Sequence, residues 1–304
     1  MQFSLPKTLF LSAMAAVALS PLSQAVTIRD DTADSAYIAL GADSAYQAAG
    51  FFDDAFGGTL VADPYGLDQF VITSAHLVEQ GRIVPGTTTF TVGGNSYGIA
   101  SVVISPGYNG TTLMNDLAIV RLTTSVTNVT PVPYYTGSAE AGKTITMIGY
   151  GYTGTGSTGE QIGTGGTRRG ANNVIDAINA STLGSLPSTS YAFDFDQPPS
   201  TPGTSFNIGS SVPLTLEGMI ASGDSGGGDF AVIGGTLYLV GLHSYDSSAD
   251  GNSNASYSDI GGSTRVSLFS SFIAQTIPEP ASMGLFLGGV ALLGSLRRRH
   301  KGRA

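Results

Sequence analysis

The sequence contains short apolar or alternating runs separated by Gly, Pro and Asn. These runs restrict the possible fold classes more than any other feature of the sequence. Five runs lie between residues 58 and 122, and three more follow residue 143. Runs of five or six residues bounded by turn signals predict short antiparallel strands rather than helices. The runs are Gly58–Ala62, Gln69–Thr73, Thr87–Val92, Ile99–Ile104, Leu117–Leu122, Thr144–Ile148, Asp229–Ile233 and Leu237–Leu242. We therefore expect an all-β domain built as a barrel or sandwich.

Composition excludes several classes of function. The 304 residues include 42 Gly and no Cys, which excludes disulfides, Cys-ligated zinc and a thiol nucleophile. The basic residues cluster near the two ends, so residues 26–276 carry a net charge of −14, against −9 for the whole chain. Such a surface repels nucleic acid and anionic lipid headgroups, and we expect no nucleic-acid partner.

The first 25 residues have the layout of a secretory signal peptide. Lys7 precedes an apolar stretch over residues 9–19, and Ser23 and Ala25 are small residues flanking Gln24. Cleavage by signal peptidase after Ala25 would leave Val26 as the new N-terminus. The alternative is a buried N-terminal helix. We expect an exported protein.

The last 28 residues have the layout of a second targeting signal. Pro278-Glu279-Pro280 precedes the uncharged residues 281–296 and an Arg-rich end at 297–303. As a helix, the uncharged segment spans about 24 Å, which suits a membrane anchor with snorkelling arginines. The arrangement resembles the PEP-CTERM sorting signal of exported proteins in certain Gram-negative bacteria. The resemblance implies an exosortase-like sorting enzyme as partner, inner-membrane anchoring before sorting, and a final place in the cell envelope or outside the cell. The alternative is an ordinary C-terminal anchor that is retained.

The remaining segments are less specific. Residues 30–50 predict a short helix or ordered arm, and residues 264–274 predict a helix. Residues 151–205, rich in Gly and Thr, predict a functional or disordered loop. Residues 250–254 have the alternating oxygens of a calcium loop but lack the Gly and Glu that an EF-hand needs, and we interpret them as a polar surface loop. Asp194 and Asp196 are predicted to lie in an exposed acidic loop rather than to bind metal. No metal or cofactor is expected.

Three segments place residues of a catalytic type beside an apolar strand or in a Gly-rich turn. Val71–His76 ends in a histidine, Asn115–Leu122 contains Asp116, and Ser222–Gly228 contains Ser225. A serine hydroxyl is a poor nucleophile unless an imidazole takes its proton and a carboxylate orients that imidazole. Outside the C-terminal tail, only His76 and His243 can supply the imidazole. Taken singly, each segment has a purely structural explanation as a strand end, a cap or a turn.

Taken together, the motifs TSAH, DLAIVRL and GDSGGG, in this order, resemble the trypsin/chymotrypsin-like serine peptidases. IGYG at 148–151, VGLHSY at 240–245 and TRVS at 264–267 extend the resemblance over most of residues 28–275. The fold that the resemblance implies is a pair of six-stranded antiparallel barrels, at about 50–135 and 136–265, with a short C-terminal helix. The active site would lie in the cleft between the barrels.

The resemblance also implies a role for each residue of the motifs. Ser225 would be the nucleophile, His76 the general base and then acid, and Asp116 the carboxylate that orients the imidazole. The backbone N–H groups of Gly223 and Ser225 would form the oxyanion hole.

Asp224 matches the acidic residue that, in many members of the family, pairs with a newly freed N-terminus. Signal-peptide cleavage would expose Val26, so export itself would create the activating ammonium group. The sequence departs from the family here, because no Ile-Val-Gly-Gly follows. The alternative is that Val26 is a loose end and that Asp224 pairs elsewhere.

Substrate preference is less constrained. Met219 stands where trypsin has its pocket aspartate, so cleavage after Lys or Arg is not implied. His243 precedes Ser244, the match to the family's pocket-wall serine, and glutamate-specific members carry a histidine there. Asp246 replaces the usual pocket glycine and would repel an acidic side chain. A structural histidine in the strand is therefore favoured over a substrate-reading one.

We expect an exported serine endopeptidase that acts on protein or peptide substrates. One alternative is a catalytically idle member that serves as a surface adhesion or extracellular-matrix protein. Another is a peptidase that processes only its own ends or a single partner.

Overall fold

The computed structural model describes residues 25–53, 56–184, 186–199, 208–209, 211–248, 251 and 254–277. Apart from Ala25, the predicted signal peptide lies outside these ranges, as do the predicted sorting tail after Ile277 and most of the predicted loop at 250–254. Within the described ranges, no helix is long and apolar enough to cross a membrane.

Short strands dominate the described part of the chain. The strands are β1 (Thr27–Ile28), β2 (Ala49–Phe52), β3 (Gly57–Leu60), β4 (Phe70–Thr73), β5 (Thr89–Val92), β6 (Asn95–Ile104), β7 (Ala118–Leu122), β8 (Thr144–Gly149), β9 (Thr153–Thr155), β10 (Gly159–Gln161), β11 (Arg169–Val174), β12 (Ser190–Asp194), β13 (Gly218–Met219), β14 (Gly228–Ile233), β15 (Thr236–Ser247) and β16 (Ile260–Arg265). The helices are α1 (Asp34–Gly41), α2 (Ala75–Glu79) and α3 (Ser270–Thr276), with 3-10 turns at Ser44–Tyr46, Ala180–Leu183 and Val266–Phe269. The prediction of an all-β fold is confirmed, as are the helices expected within residues 30–50 and 264–274.

The first half of the domain is a closed six-stranded barrel in the order β2-β3-β4-β7-β6-β5. Its interior is filled by large apolar side chains that are fully buried, among them Leu60, Phe70, Ile72 and Phe90. Strands β4 and β7 pair antiparallel, with Thr73 opposite Ala118. The end of β4 and the start of β7 therefore lie side by side, and each leads directly to a predicted catalytic segment.

The second half is a six-stranded antiparallel sheet in the order β11-β8-β14-β15-β16-β12. It forms a half-barrel, whereas the sequence predicted a second full barrel. The outer strands β11 and β12 are not hydrogen-bonded to each other as a ladder; one isolated bridge, between Ala177 and Ala192, lies near this gap. Buried side chains such as Met147, Phe193 and Val240 form a separate core on this side of the molecule.

A third, small sheet ties the N-terminus to the second half. Strand β1 lies between β9, with which it runs parallel, and β13, with which it runs antiparallel. Strands β9 and β10 form a hairpin inside the segment predicted to be a loop. That prediction is wrong for much of residues 151–205, because β11 and β12 also lie there. Short polar strands in this segment are stabilised by their partners rather than by an apolar pattern of their own.

Asp194 and Asp196 are buried, with 2% and 5% of their surface exposed, so the prediction of an exposed acidic loop is wrong. Glu217 lies beside them and accepts hydrogen bonds from the backbone N–H groups of Asp196 and Leu214. Burial, together with neighbouring carboxylates, raises the pKa of Asp194 to about 7 and that of Glu217 to about 8. The described residues contain no cluster of three or more side chains suited to a metal ion.

The raised pKa values predict how stability depends on pH. The folded state holds protons on Asp194 and Glu217 that the unfolded chain releases near pH 4, so the free energy of unfolding should fall as pH rises from about 5 to about 8. The variants Asp194→Asn and Glu217→Gln mimic the protonated groups and should reduce this fall. Urea unfolding at pH 5 and pH 8 measures it, with the exposed Glu79→Gln as control. An unchanged pH dependence in both variants would contradict the prediction.

Candidate active site

A buried carboxylate holds His76, the histidine of the first predicted catalytic segment. Asp116 is fully buried at the start of β7, and its Oδ1 accepts the backbone N–H of His76 at 2.8 Å. Its Oδ2 lies 2.7 Å from His76 Nδ1 and accepts the Ser244 hydroxyl at 2.6 Å. Since an ionised carboxylate only accepts, Nδ1 carries the proton, and Nε2 is left to act as a base. His76 and Asp116 are thus brought together as the sequence predicts.

Glycines shape the loop that carries Ser225. Gly223 has φ +93° and Gly226 has φ +77°, conformations that L-side chains rarely adopt. A Cβ on Gly226 would lie 2.2 Å from Thr73 Oγ1 and 2.9 Å from Leu77 Cδ1, so this loop presses directly on the segment that carries His76. The backbone N–H of Gly57, in β3, donates to the carbonyl of Ser225 at 2.8 Å. These contacts place the half-buried Ser225 at the junction between the two halves of the domain.

Two backbone donors are available beside Ser225. Within the described residues, the N–H groups of Gly223 and Ser225 have no hydrogen-bond acceptor, while the intervening N–H of Asp224 donates to the carbonyl of Ala221 at 2.9 Å. Among the described residues, Ser225 Oγ forms no hydrogen bond to His76; contacts between a nucleophile and its base often tighten only when substrate binds. Free donors at these two positions suit a developing oxyanion.

Asp224 is completely buried behind this loop and binds three separate parts of the chain. Its Oδ1 accepts the N–H of Gly151 at 2.8 Å, and its Oδ2 accepts those of Ala221 at 2.9 Å and Val26 at 3.2 Å. Burial raises the pKa of Asp224, against the opposing effects of nearby His243 and of these donors. The geometry brings Val26 and Asp224 together, as expected if the two residues pair.

Val26 itself is held in an unusual conformation. It is fully buried, with φ +50°, which is a strained value for a β-branched residue. The side chain of Thr153 donates to its carbonyl, and β1 begins at the next residue. The segment at 26–28 is therefore seated in the protein and does not hang free.

A pocket of about 110 Å³ opens beside Ser225. It is lined by Ile220, Ala221, Ser222, Ser225, His243, Ser244, Tyr245 and Asp246. Met219 is fully buried in the core and is not among the lining residues, so its side chain does not face this pocket.

Two carboxylates lie at this pocket. Asp246 lines it, and Glu160, from β10, accepts the N–H and the hydroxyl of Ser222 at 2.6 Å and 2.7 Å. Partial burial and the charge of Glu160 raise the pKa of Asp246. Neither carboxylate forms an ion pair with a described cation. Glu160 was not identified from the sequence as a pocket residue, because the sequence predicted a loop where the structure has the β9–β10 hairpin.

His243 is 1% exposed, and both of its ring nitrogens are already hydrogen-bonded within the protein. Nδ1 lies 3.1 Å from the carbonyl of Asp224, and Nε2 lies 2.8 Å from Asp229 Oδ1. Burial alone would lower the pKa of His243, but the contacts with Asp229 and Asp224 together outweigh it and raise the pKa. No ring nitrogen is left to bind a substrate carboxylate, which favours the structural interpretation. A charged residue at the start of the apolar run 229–233 was the available signal for Asp229.

Comparison with known families matches residues 43–186 to the family described as Trypsin. The matched range contains His76 and Asp116 and ends before Ser225. No curated protein matches the chain. The family match and the fold support a serine peptidase-type domain related to trypsin and chymotrypsin.

Proposed function

We propose that this protein is an exported serine endopeptidase that cleaves peptide bonds through His76, Asp116 and Ser225. The observation that carries the proposal is the buried Asp116. It binds both the backbone N–H and Nδ1 of His76 and so leaves Nε2 free to act as a base. This is the arrangement that activates a serine hydroxyl.

The chemistry follows from these positions. As Ser225 Oγ attacks the carbonyl carbon of the substrate, its proton passes to His76 Nε2, and the imidazolium is stabilised by Asp116. The carbonyl oxygen gains negative charge and accepts the N–H groups of Gly223 and Ser225. His76 then gives the proton to the leaving amine, which leaves an acyl group on Ser225. Water, deprotonated by His76, hydrolyses this ester and restores the hydroxyl.

Substitution of the three residues tests the proposed mechanism. Ser225→Ala and His76→Ala should leave only residual hydrolysis of a peptide substrate, and Asp116→Asn should lower kcat by about 10⁴, because the imidazole then loses its carboxylate. The assay is steady-state cleavage of a quenched fluorescent peptide library. Tyr46→Phe, which removes a hydroxyl contact to Thr146 away from the site, is the matched control. Full activity in Ser225→Ala would contradict the mechanism.

In this proposal, removal of the signal peptide during export completes the active conformation of the loop that carries Ser225. Val26 N lies 3.2 Å from Asp224 Oδ2 even as a neutral peptide N–H, and the φ constraint on Val26 disappears once the bond to Ala25 is cut. Cleavage by signal peptidase would therefore release backbone strain and supply an ammonium group to a buried carboxylate. A charge-assisted hydrogen bond of this kind is about twice as strong as a neutral one.

Two forms of the protein test this activation step. A chain that begins at Val26 should cleave peptides at least about tenfold faster than one with a single residue added before Val26, because only the first presents a charged group to Asp224. Intact-mass analysis verifies each N-terminus before kinetics, and N-terminal acetylation of the faster form is the matched control. Equal activity in the extended form would overturn the proposal that Val26 is the activating terminus.

Asp246 and Glu160 give the pocket a negative potential, so we infer that it prefers a cationic or neutral side chain to an acidic one. Asp246→Asn should lower kcat/KM for a lysine or arginine substrate by about tenfold, equivalent to ~1.4 kcal/mol, relative to a leucine substrate. The leucine peptide serves as internal control in the same assay. Preferential cleavage after glutamate by the unmodified protein would contradict this inference.

The strongest alternative is a catalytically idle adhesion or matrix protein. The complete set of catalytic side chains argues against it, because an idle member has no need to retain them. Export, sorting by an exosortase-like enzyme and anchoring through residues 281–296 are supported by the sequence of the two ends alone. Cleavage confined to the chain's own ends, with a reactive Ser225, would instead indicate a self-processing peptidase.

A further inference from the structure

His243 contacts the loop that carries Ser225 through both its backbone and its side chain. Its backbone N–H donates to the carbonyl of Gly227, and its own carbonyl accepts the N–H of Gly226, both at 2.9 Å. The same carbonyl accepts the hydroxyl of Ser74 at 2.8 Å. The imidazole packs so closely that a Cβ on Gly227 would lie 2.6 Å from Nδ1. Both the backbone and the ring of His243 are therefore fitted to this loop.

The contact between His243 Nδ1 and the Asp224 carbonyl has a specific consequence. That carbonyl belongs to the same planar peptide unit as the N–H of Ser225, and in a trans peptide the two groups point in opposite directions. No cis peptide occurs among the described residues. A donor that holds the carbonyl toward the interior therefore holds the N–H of Ser225 toward the opposite side, where an oxyanion would form.

We propose that His243 is a positioning residue that acts as a buried imidazolium and fixes the Asp224–Ser225 peptide with the N–H of Ser225 turned into the oxyanion hole. The proposal deepens the proposed peptidase function and rests on it. His243 contacts no reacting atom and acts through this one peptide unit.

The hydrogen-bond partners determine the charge on the ring. A carbonyl oxygen can only accept, so Nδ1 carries a proton toward Asp224 O. Asp229 Oδ2 accepts the hydroxyl of Tyr191 at 2.6 Å, and Asp229 Oδ1 faces Nε2. A proton on Nε2 as well lets the ring donate at both nitrogens, so that each oxygen of Asp229 accepts one hydrogen bond. The charged and titratable groups around the ring are Asp229, Asp224 and, through Asp229, Tyr191, so a cation there balances buried negative charge.

The ring also acts on the strength of the donor. A hydrogen bond accepted by a peptide carbonyl polarises the amide, which makes its N–H a better donor on the other side. The Asp224 carbonyl receives a second hydrogen bond, from the N–H of Gly227 at 2.9 Å. Loss of the imidazole removes the hydrogen bond from the charged ring, while the hydrogen bond from the Gly227 N–H remains.

Two isosteric substitutions separate positioning from mere packing. The amide nitrogen of His243→Asn falls near the place of Nδ1 and can still donate to Asp224 O, whereas that of His243→Gln falls near Nε2 and reaches only Asp229. His243→Gln should lower kcat by about 10- to 100-fold, below the loss of about 10²–10³ that removal of an oxyanion donor causes. KM should change by less than about twofold, since the contact matters chiefly in the transition state. His243→Asn should restore most of kcat.

The experiment measures kcat, KM and melting temperature for both variants in the full chain processed to Val26, with Tyr46→Phe as control for the loss of a partly buried hydroxyl contact. Affinity for a peptide trifluoromethyl ketone, which places an oxyanion in the hole, should fall in parallel with kcat in His243→Gln. Equal losses of kcat in the two variants, or a loss confined to KM, would overturn the proposal.

A second readout does not depend on activity or on a variant that folds. Nitrogen-15 spectra of the ring should show both nitrogens of His243 protonated at pH 7 in the unmodified protein. A ring with a single proton would overturn the proposal even if the enzyme is active. If the unmodified protein cleaves no substrate and binds no ketone, the peptidase function fails, and the spectra still decide whether His243 holds the peptide as an imidazolium.

Discussion

The completely buried carboxylate of Asp224 is the constraint on which the rest of the active site depends. An unpaired buried charge is too costly to keep, so the chain must bring donors to it. Two of these donors come from distant segments, at Val26 and Gly151, and the third is the backbone N–H of Ala221 in the same loop. The same carboxylate belongs to the residue before Ser225, so the interactions that satisfy it also set the backbone of the nucleophile loop. Strand β1 lies between β9 and β13, and this placement brings the preceding residue, Val26, to Asp224.

The two halves of the domain are joined at the site by hydrogen bonds that leave little freedom between them. Gly57 N–H binds the Ser225 carbonyl, Ser74 Oγ binds the His243 carbonyl, and Ser244 Oγ binds Asp116. Each bond runs between the first barrel and the half-barrel, and each lies at or beside a predicted catalytic residue. The relative position of His76 and Ser225 is thus set by local contacts as well as by the packing of two separate cores.

The sequence predicted the apolar strands and the proximity of His76 and Asp116, because apolar runs and motifs both leave a local signal. The runs at 69–73 and 117–122 correspond to β4 and β7, and His76 and Asp116 lie at their ends as expected. It did not predict β9 to β12. The residues of β9, β10 and β11 are mostly polar, and these segments become strands through their partners. Nor did it predict the burial of Asp194 or the role of Glu160, since both depend on which distant segments pack around them.

Labelling of Ser225 by a fluorophosphonate tests the central claim most directly, because the reaction needs the nucleophile, the base and the oxyanion donors at once. The full chain, processed to Val26, would be treated with the probe and the modified residue located by peptide mass spectrometry, with Ser225→Ala and heat-denatured protein as controls. We expect a single phosphonate adduct, on Ser225 of the folded protein. A folded protein with a verified Val26 terminus that remains unlabelled would contradict it.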